Sequence, residues 1–363
     1  MDNGRLKSLD ALRGFDMLLI MGFGWMLYDI CCLWPGGNQF WLARQMEHAA
    51  WNGLTLFDTI FPLFLFISGM TFPFSLAKRR ERGVSDGSTV KKVLIRALIM
   101  VALGIVYNGC FELNFSSMRF YSVLGRIGVA WALAALLYMG LSWKPRAVIA
   151  AVILAGYNLL LLIAAPDRPG ADSLSFEGNL VGYVDRLIMP GHLLNTSLGF
   201  DPEGLLSTLP AVVTAMLGQF AGEFVRSKHS RKTLWMLVAA FVLLGLGLVW
   251  NTWFPINKKL WTSSFVLVVA AYSLGLFAVF YYLIDVRGWK KWAFPLEVIG
   301  LNSITIYLIQ RIVSLHSASQ FFLGGLAGLV PAQVGQVILA AGYVLLSWLL
   351  LYFLYRKKVF LKI

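Results

Sequence analysis

Charge is scarce in this chain. Only 13% of its 363 residues are Asp, Glu, Lys or Arg, and 58% are hydrophobic. Soluble domains carry about a quarter charged residues and about half apolar ones. With a mean hydropathy of +0.71, a water-soluble fold of this length has too much apolar surface to hide, whereas a lipid bilayer accommodates it. Cysteine is almost absent: Cys31, Cys32 and Cys110. Two of the three are adjacent in sequence and a poor match for disulfide geometry, so no disulfide framework is expected. No Walker A loop, Gly-x-Ser-x-Gly elbow or zinc-ligand spacing occurs, so no metal is expected. Acidic residues are outnumbered 18 to 31 by Lys and Arg, a net charge of +13. The basic residues sit in short clusters between apolar runs, which is the pattern of cytoplasmic loops and not of a nucleic-acid surface.

What is present is a series of long apolar runs. Candidate spans fall at about 14–34, 55–77, 94–113, 121–142, 147–165, 205–225, 234–253, 262–284, 294–313 and 334–355, each near the ~20 residues that cross a bilayer. The expectation is an all-α polytopic helical bundle of about ten transmembrane helices, one domain over 1–363. The apolar start follows Arg13 with no small-residue cleavage site before Trp34, so it reads as a retained first helix. The short Gly-rich stretch at Phe321–Val330 reads as a re-entrant or interfacial piece. With the N-terminus inside, most basic residues lie on the inner side. They include Arg5, Lys7 and Arg13; the run from Lys78 to Arg96; Arg226 to Lys232; and Arg356 to Lys362. That asymmetry predicts both termini in the cytoplasm. Two longer segments, at 35–54 and 166–204, then face outward, and such elaboration marks the face that meets a substrate.

Five groups of residues can carry chemistry. The first is Glu47-His48-Ala49-Ala50-Trp51-Asn52-Gly53-Leu54-Thr55, followed by Asp58 and Phe61-Pro62. His48 lies at the outer membrane edge, and histidine exchanges a proton near neutral pH. Asp58 enters the span, where a carboxylate needs a partner or a wet cavity. It can orient His48, or it can simply cap a helix turn. The second is Ser8-Leu9-Asp10-Ala11-Leu12-Arg13-Gly14. Here Arg13 is placed for a phosphate or for ordinary anchoring at the inner boundary, with Asp16 deeper. The third is Arg126, an arginine inside a span, able to pair with Asp16 or Asp58 or to bind an anionic cofactor. The fourth is Gly300-Leu301-Asn302-Ser303, able to hydrogen-bond across helices or line a pocket. The fifth comprises Met189-Pro190-Gly191-His192, Asp201-Pro202-Glu203-Gly204-Leu205-Leu206-Ser207-Thr208 and Asn257-Lys258-Lys259-Leu260-Trp261-Thr262-Ser263-Ser264, all at outer helix ends and able to rim a polar pocket. His192 is a rival base in a loop setting. His229 reads as solvated, and His316 has no assigned role.

These motifs, in this order along nearly the whole chain, resemble the heparan-alpha-glucosaminide N-acetyltransferase family and its bacterial relatives within the transmembrane acyltransferases. The resemblance implies an enzyme that takes acetyl-CoA from the cytosol and acetylates the amino group of a glucosamine-type sugar or glycan on the opposite face. It places the family's active-site histidine on His48, as base or acetyl carrier, with Asp58 beside it. Donor contacts are expected from Arg13, Lys78, Arg126, Asn302 and Ser303, and acceptor contacts from Trp51, Asn52, Glu203, Lys258 and Trp261. Lysosomal members carry an asparagine where this chain reads Gly22-Phe23-Gly24, and the loop before His48 is longer here, with Pro35-Gly36-Gly37. The setting expected is a bacterial inner membrane, with the bilayer, acetyl-CoA and a glycan as partners; homo-oligomerisation is compatible with it. An O-acyltransferase of envelope glycans and a transporter or flippase are the alternatives.

Overall fold

Lipid offers no hydrogen bonds to a backbone, and a helix satisfies its own within one segment. The computed structural model describes residues 6–194 and 199–361, and no strand occurs among them. One isolated bridge joins Ala164 and Asn179. Arg5 and Lys362 of the expected inner clusters lie outside the described residues.

The helices in chain order begin with α1 Lys7–Leu18, α2 Gly24–Cys31, α3 Trp41–Gln45, α4 Leu56–Glu81, α5 Asp86–Tyr107, α6 Val123–Gly140 and α7 Trp143–Leu161. Then follow α8 Leu180–Ile188, α9 Thr208–Arg226, α10 Lys232–Asn251, α11 Ser263–Tyr281, α12 Phe294–Leu301, α13 Ser303–Ile312, α14 Leu315–Gly328 and α15 Ala332–Arg356. Among the described residues, eight helical stretches are long and apolar enough to cross a membrane. The chain is therefore the expected all-helical, multi-pass membrane protein, but with two fewer such stretches than the ten read from sequence. The causes differ. The expectation at 94–113 falls on α5, whose first turns carry Lys91, Lys92 and Arg96. The expectation at 294–313 is interrupted at Asn302, whose φ of −125° and ψ of 31° separate α12 from α13.

The chain forms two compact units. The first comprises Met1–Ala49, Leu54–Ile60 and Leu276–Lys362; the second is built from Ala50–Gly53 and Phe61–Gly275. In the first, α1 runs through a π-type turn, Leu19–Phe23, into α2, with Gly22 at φ +106°. Such turns interrupt a helix at the cost of regular hydrogen bonding and often accompany functional sites. α1 crosses α12 where Gly14 meets the Leu296 carbonyl and Gly300 meets the Asp10 carbonyl. The crossing is flanked by Lys7 against Glu297 at 3.4 Å and by the Ser8 N–H donating to Asp285 at 3.3 Å. The stretch read as re-entrant belongs largely to α14, which packs on α15; the Ser319 hydroxyl donates to the Leu339 carbonyl at 2.7 Å. Phe321 and Phe322 on α14 are exposed.

In the second unit, Tyr157, Leu161, Val181, Phe200, Phe254 and Leu260 form a core against which Trp51 packs. Burial of these large side chains is worth ~1.5–3 kcal/mol each. It fixes the segment between α7 and α9 that carries the 201–207 turn. A second anchor is Arg146, almost fully buried, whose Nη2 donates to both Glu223 oxygens at 2.7 and 2.8 Å.

Candidate functional site

In the first unit, the start of α4 dictates the geometry around His48. Thr55 and Asp58 form a capping box. The Asp58 N–H donates to Thr55 Oγ1 at 3.4 Å, and the Thr55 N–H donates to Asp58 Oδ2 at 3.3 Å. Asp58 Oδ2 also accepts from Thr55 Oγ1 at 3.0 Å and from the Ala49 N–H at 3.0 Å. The other oxygen, Oδ1, faces His48 Nδ1 at 2.8 Å. The two readings of Asp58 from sequence are thus compatible, because one carboxylate both caps the helix and meets the imidazole.

The protonation pattern follows from hydrogen-bond valence. Asp58 is buried, with 2% of its side chain exposed, and its Oδ2 accepts from the Ala49 N–H, the Thr55 N–H and the Thr55 hydroxyl. Those donors favour the ionised, acceptor-only carboxylate. His48 Nδ1 then carries the proton, and Nε2 carries the lone pair. The imidazole is 52% exposed and leans against Phe57 at 5.0 Å between ring centroids. A histidine oriented by a buried carboxylate is an arrangement that can exchange a proton with another group.

Elsewhere in the first unit, Arg13 Nη1 lies 3.3 Å from Asp10 Oδ1 on α1. Asp16 is buried, and neither carboxylate oxygen has a hydrogen-bond partner among the described residues. Asn302 is engaged at both ends of its amide. Its Nδ2 donates to the Val359 carbonyl at 3.0 Å, and its Oδ1 accepts from the Leu361 N–H and from Thr305 Oγ1, each at 3.3 Å. It fastens the C-terminal segment to the α12–α13 break, with Ser303 buried at the first position of α13. His316 stacks on Tyr343 with centroids 4.2 Å apart.

In the second unit, Trp51 and Asn52 are clamped by the segments before α8 and before α11. Trp51 Nε1 donates to the Leu174 carbonyl at 2.8 Å. Asn52 Oδ1 accepts from Asn257 Nδ2 at 3.0 Å, and the Gly53 N–H donates to the Ile256 carbonyl at 2.8 Å. Lys259 reaches back: its Nζ donates to the Ala50 carbonyl and lies 5.7 Å from the Trp51 ring. Asn257 and Lys259 belong to a motif visible in the sequence, but side-chain chemistry alone does not rank them above Lys258. Lys78 is exposed at the end of α4.

Trp261 is only 1% exposed and adopts a left-handed backbone, φ +53°, which is uncommon for a bulky residue and often accompanies function. Its ring lies between Phe61, Phe265 and the Arg126 guanidinium, at 4.9, 5.1 and 5.0 Å. Arg126 sits in the first turn of α6, after the Ser122 cap, yet is 3% exposed. Its Nη2 donates to the Gly204 carbonyl at 3.2 Å and to Ser207 Oγ.

The turn that supplies those acceptors is itself locked by residues the sequence did not single out. Arg119 Nε and Nη2 donate to Asp201 at 2.7 and 2.6 Å, and Nη2 also meets Glu203. Asp185 accepts from the Leu205 N–H at 3.2 Å and the Asp201 N–H at 3.4 Å. Glu203 therefore spends its carboxylate on Arg119. For Arg119, burial disfavours the charge, but the carboxylates of Asp201 and Glu203 outweigh it and the pKa rises. Burial, with a contribution from Asp201, pushes the Asp185 carboxyl up to about 7 against the pull of its two N–H donors. His192 is oriented by the Met118 carbonyl at 2.9 Å from Nδ1 and by Phe120, not by a carboxylate.

A pH prediction follows from Asp185. Between about pH 4, where an ordinary Asp titrates in an unfolded chain, and about 7, the folded protein keeps a proton that the unfolded chain has released. Stability from this group therefore falls as pH rises through that window and levels off above it. Relative to Asp185→Asn, the wild-type apparent melting temperature rises as pH is lowered from about 8 to about 5.5. Parallel curves for the two proteins contradict the assignment.

No protein-family model matches the chain. Two curated proteins do. The heparan-alpha-glucosaminide N-acetyltransferase of Homo sapiens is 27% identical over an alignment of 416 positions that covers 99% of this chain and 60% of the relative. That of Mus musculus is 26% identical with the same coverage. The chain thus spans about three-fifths of the length of these relatives. Among the described residues no group of three His, Cys, Asp or Glu side chains is placed to hold a metal ion.

Proposed function

We propose that this chain, a homologue of the heparan-alpha-glucosaminide N-acetyltransferases along its length, is a membrane-embedded N-acetyltransferase that moves an acetyl group from acetyl-CoA to the amine of a glucosamine-type sugar or glycan. The observation that carries the reading is the His48–Asp58 pair, with Nδ1 at 2.8 Å from a carboxylate that the Ala49 and Thr55 N–H groups also hold. In the ternary-complex form of the reaction, His48 Nε2 takes the proton as the amine nitrogen attacks the thioester carbonyl. The new C–N bond forms, the C–S bond breaks, and the sulfur leaves as CoA thiolate, which gains a proton to become the thiol. Asp58 stabilises the imidazolium that forms.

The basic residues at inner helix ends, Arg13 and Lys78 among them, suit the phosphates of a cytosolic donor. Arg126 is a further donor contact in this reading, while Asn302 and Ser303 act on the donor arm through the α12–α13 break. Trp51, Asn52, Glu203, Lys258 and Trp261 belong to the acceptor side. The acceptor lies on the periplasmic face of a bacterial inner membrane, on the side opposite the basic clusters.

The test is direct. Purified protein in detergent, given acetyl-CoA and a panel of amino sugars, is expected to release CoA thiol in proportion to an N-acetylated product seen by mass spectrometry. O-acetyl product reassigns the acceptor atom. Absence of CoA release with every sugar removes the acyl-transfer reading.

A further inference from the structure

Arg126 presents a buried charge whose hydrogen-bonding capacity is largely unused. Nη2 is committed to Gly204 and Ser207, but Nε and Nη1 have no hydrogen-bond partner among the described residues, and the residue is 3% exposed. A guanidinium has five N–H donors. The three on Nε and Nη1 are therefore directed into the interior of the second unit. Leaving such donors unserved is among the more costly features a fold can retain, and the surroundings are arranged to keep this one in place. Trp261 lies under the guanidinium at 5.0 Å, in a left-handed backbone conformation, with its Nε1 donating to Thr214 Oγ1 at 3.2 Å. Phe61 stands 6.0 Å from the same cation. The 201–207 turn that holds Nη2 is locked by Arg119 and Asp185.

The same surroundings limit what those donors can receive. Asp201 and Glu203 belong to the same turn as Gly204 and Ser207, which hold the guanidinium, and Asp185 accepts the Leu205 N–H of that turn. The neighbouring cation, Arg119, is already committed to Asp201 and Glu203. A phosphate brought to Arg126 adds one or two negative charges beside those two carboxylates, with that cation already spent on them. It would lose its hydration between two aromatic rings with one guanidinium to compensate. Phosphate sites instead gather several cations or backbone N–H groups with little negative charge nearby. An uncharged oxygen meets no such repulsion. It gains a charge-assisted hydrogen bond, and the attraction grows if negative charge develops on it during reaction.

We propose that the open N–H groups of Arg126 hold an uncharged substrate oxygen, the carbonyl of an acyl group or a hydroxyl of a sugar, and not a phosphate of the donor. The proposal rests on the acyl-transfer reading and changes the part Arg126 plays within it. Asp185 and Arg119 are positioning residues for that guanidinium.

The experiment compares wild type with Arg126→Gln as full-length chains in detergent. Affinity for CoA is measured by calorimetry at two salt concentrations, and steady-state kinetics are run with glucosamine and acetyl-CoA varied in turn. Arg126→Gln is expected to keep its CoA Kd within about twofold of wild type, with the same salt dependence. If the oxygen is the acyl carbonyl, kcat falls ~10²-fold at saturating substrates, the scale of losing one donor to a developing oxyanion. If it is a sugar hydroxyl, the KM for glucosamine rises ~10-fold or more, the scale of one charged hydrogen bond. A tenfold loss of CoA affinity, or no change in any parameter, overturns the proposal. Arg126→Lys keeps the charge but not the fork; it is read by the same criteria should Arg126→Gln fail to elute as folded protein. Wild-type protein that releases no CoA removes the acyl-transfer reading and this proposal with it, whereas wild-type turnover beside a variant that loses CoA removes this proposal alone.

Discussion

Replacing His48 with alanine is expected to lower acetyl transfer by ~10²–10⁴-fold, the contribution of a positioned general base, with CoA affinity and folding unchanged. The side chain is half exposed, so its loss leaves no cavity. Asp58→Asn separates orientation from packing. An asparagine oxygen at the Oδ2 position can still accept the Ala49 and Thr55 N–H groups, so the capping box survives in large part. Its amide nitrogen then faces His48 Nδ1 across the 2.8 Å contact. Two donors cannot share that contact, so Nδ1 must become the acceptor and the proton moves to Nε2. The basic nitrogen is lost while the imidazole stays in place, and turnover falls by a similar factor. Asp58→Ala adds a structural loss, ~1 kcal/mol or more for a broken helix cap, and melts at lower temperature than Asp58→Asn. Near-wild-type turnover in His48→Ala sinks the assignment. A variant that loses activity and CoA binding together points to misfolding instead.

How much of this was legible in the sequence depends on the range of the interaction. The capping box is local, three residues apart, and the pattern Thr55-x-x-Asp58 announces it. That Ala49 and His48 fold back onto the same carboxylate is a chain reversal between 49 and 55, and only the two chemistries hinted at it. Arg126 stood out as an ion within an apolar run. Its partners, Ser207 and Gly204, are some eighty residues away; their stretch reads as a polar rim, but nothing in it points to Arg126. Arg119 read as one more outer-end cation because its carboxylates, Asp201 and Glu203, become neighbours only through the packing of the segment between α7 and α9. The ten runs read from sequence and the eight long apolar helices differ where hydropathy averages over details that decide a helix. Charges in the first turns of α5 shorten its apolar length, and a backbone break at Asn302 splits one apolar run into two short helices.

The motifs that carry the resemblance also conceal a purely steric requirement, and its test has the largest expected effect on folding. Gly14 closes the Ser8–Gly14 motif, and Gly300 opens Gly300-Leu301-Asn302-Ser303. They face each other's helices across the α1–α12 crossing. A Cβ on Gly14 would lie 1.8 Å from the Leu296 carbonyl oxygen, and one on Gly300 would lie 1.9 Å from that of Asp10. Both obstacles are backbone, so no rotamer change relieves them, and the helices must separate. Close approach of small residues is what holds helices together where lipid gives no hydrophobic drive. Separation also disturbs what the crossing carries, the Lys7–Glu297 pair at 3.4 Å and the Asn302 clasp on Val359. Gly14→Val and Gly300→Val are each expected to cost ~3 kcal/mol or more, at or beyond the upper end for overpacking. The loss should show as a fall of many degrees in apparent melting temperature and a shift to aggregate on gel filtration. Gly156→Ala is the control. It lies within α7 with nothing within 4 Å of its added Cβ, so it should be neutral or stabilising by up to ~1 kcal/mol. If the Val variants melt within a few degrees of that control, the crossing is not the constraint that places Gly in both motifs. Those glycines must then be explained by chemistry at the neighbouring Arg13 and Asn302 instead.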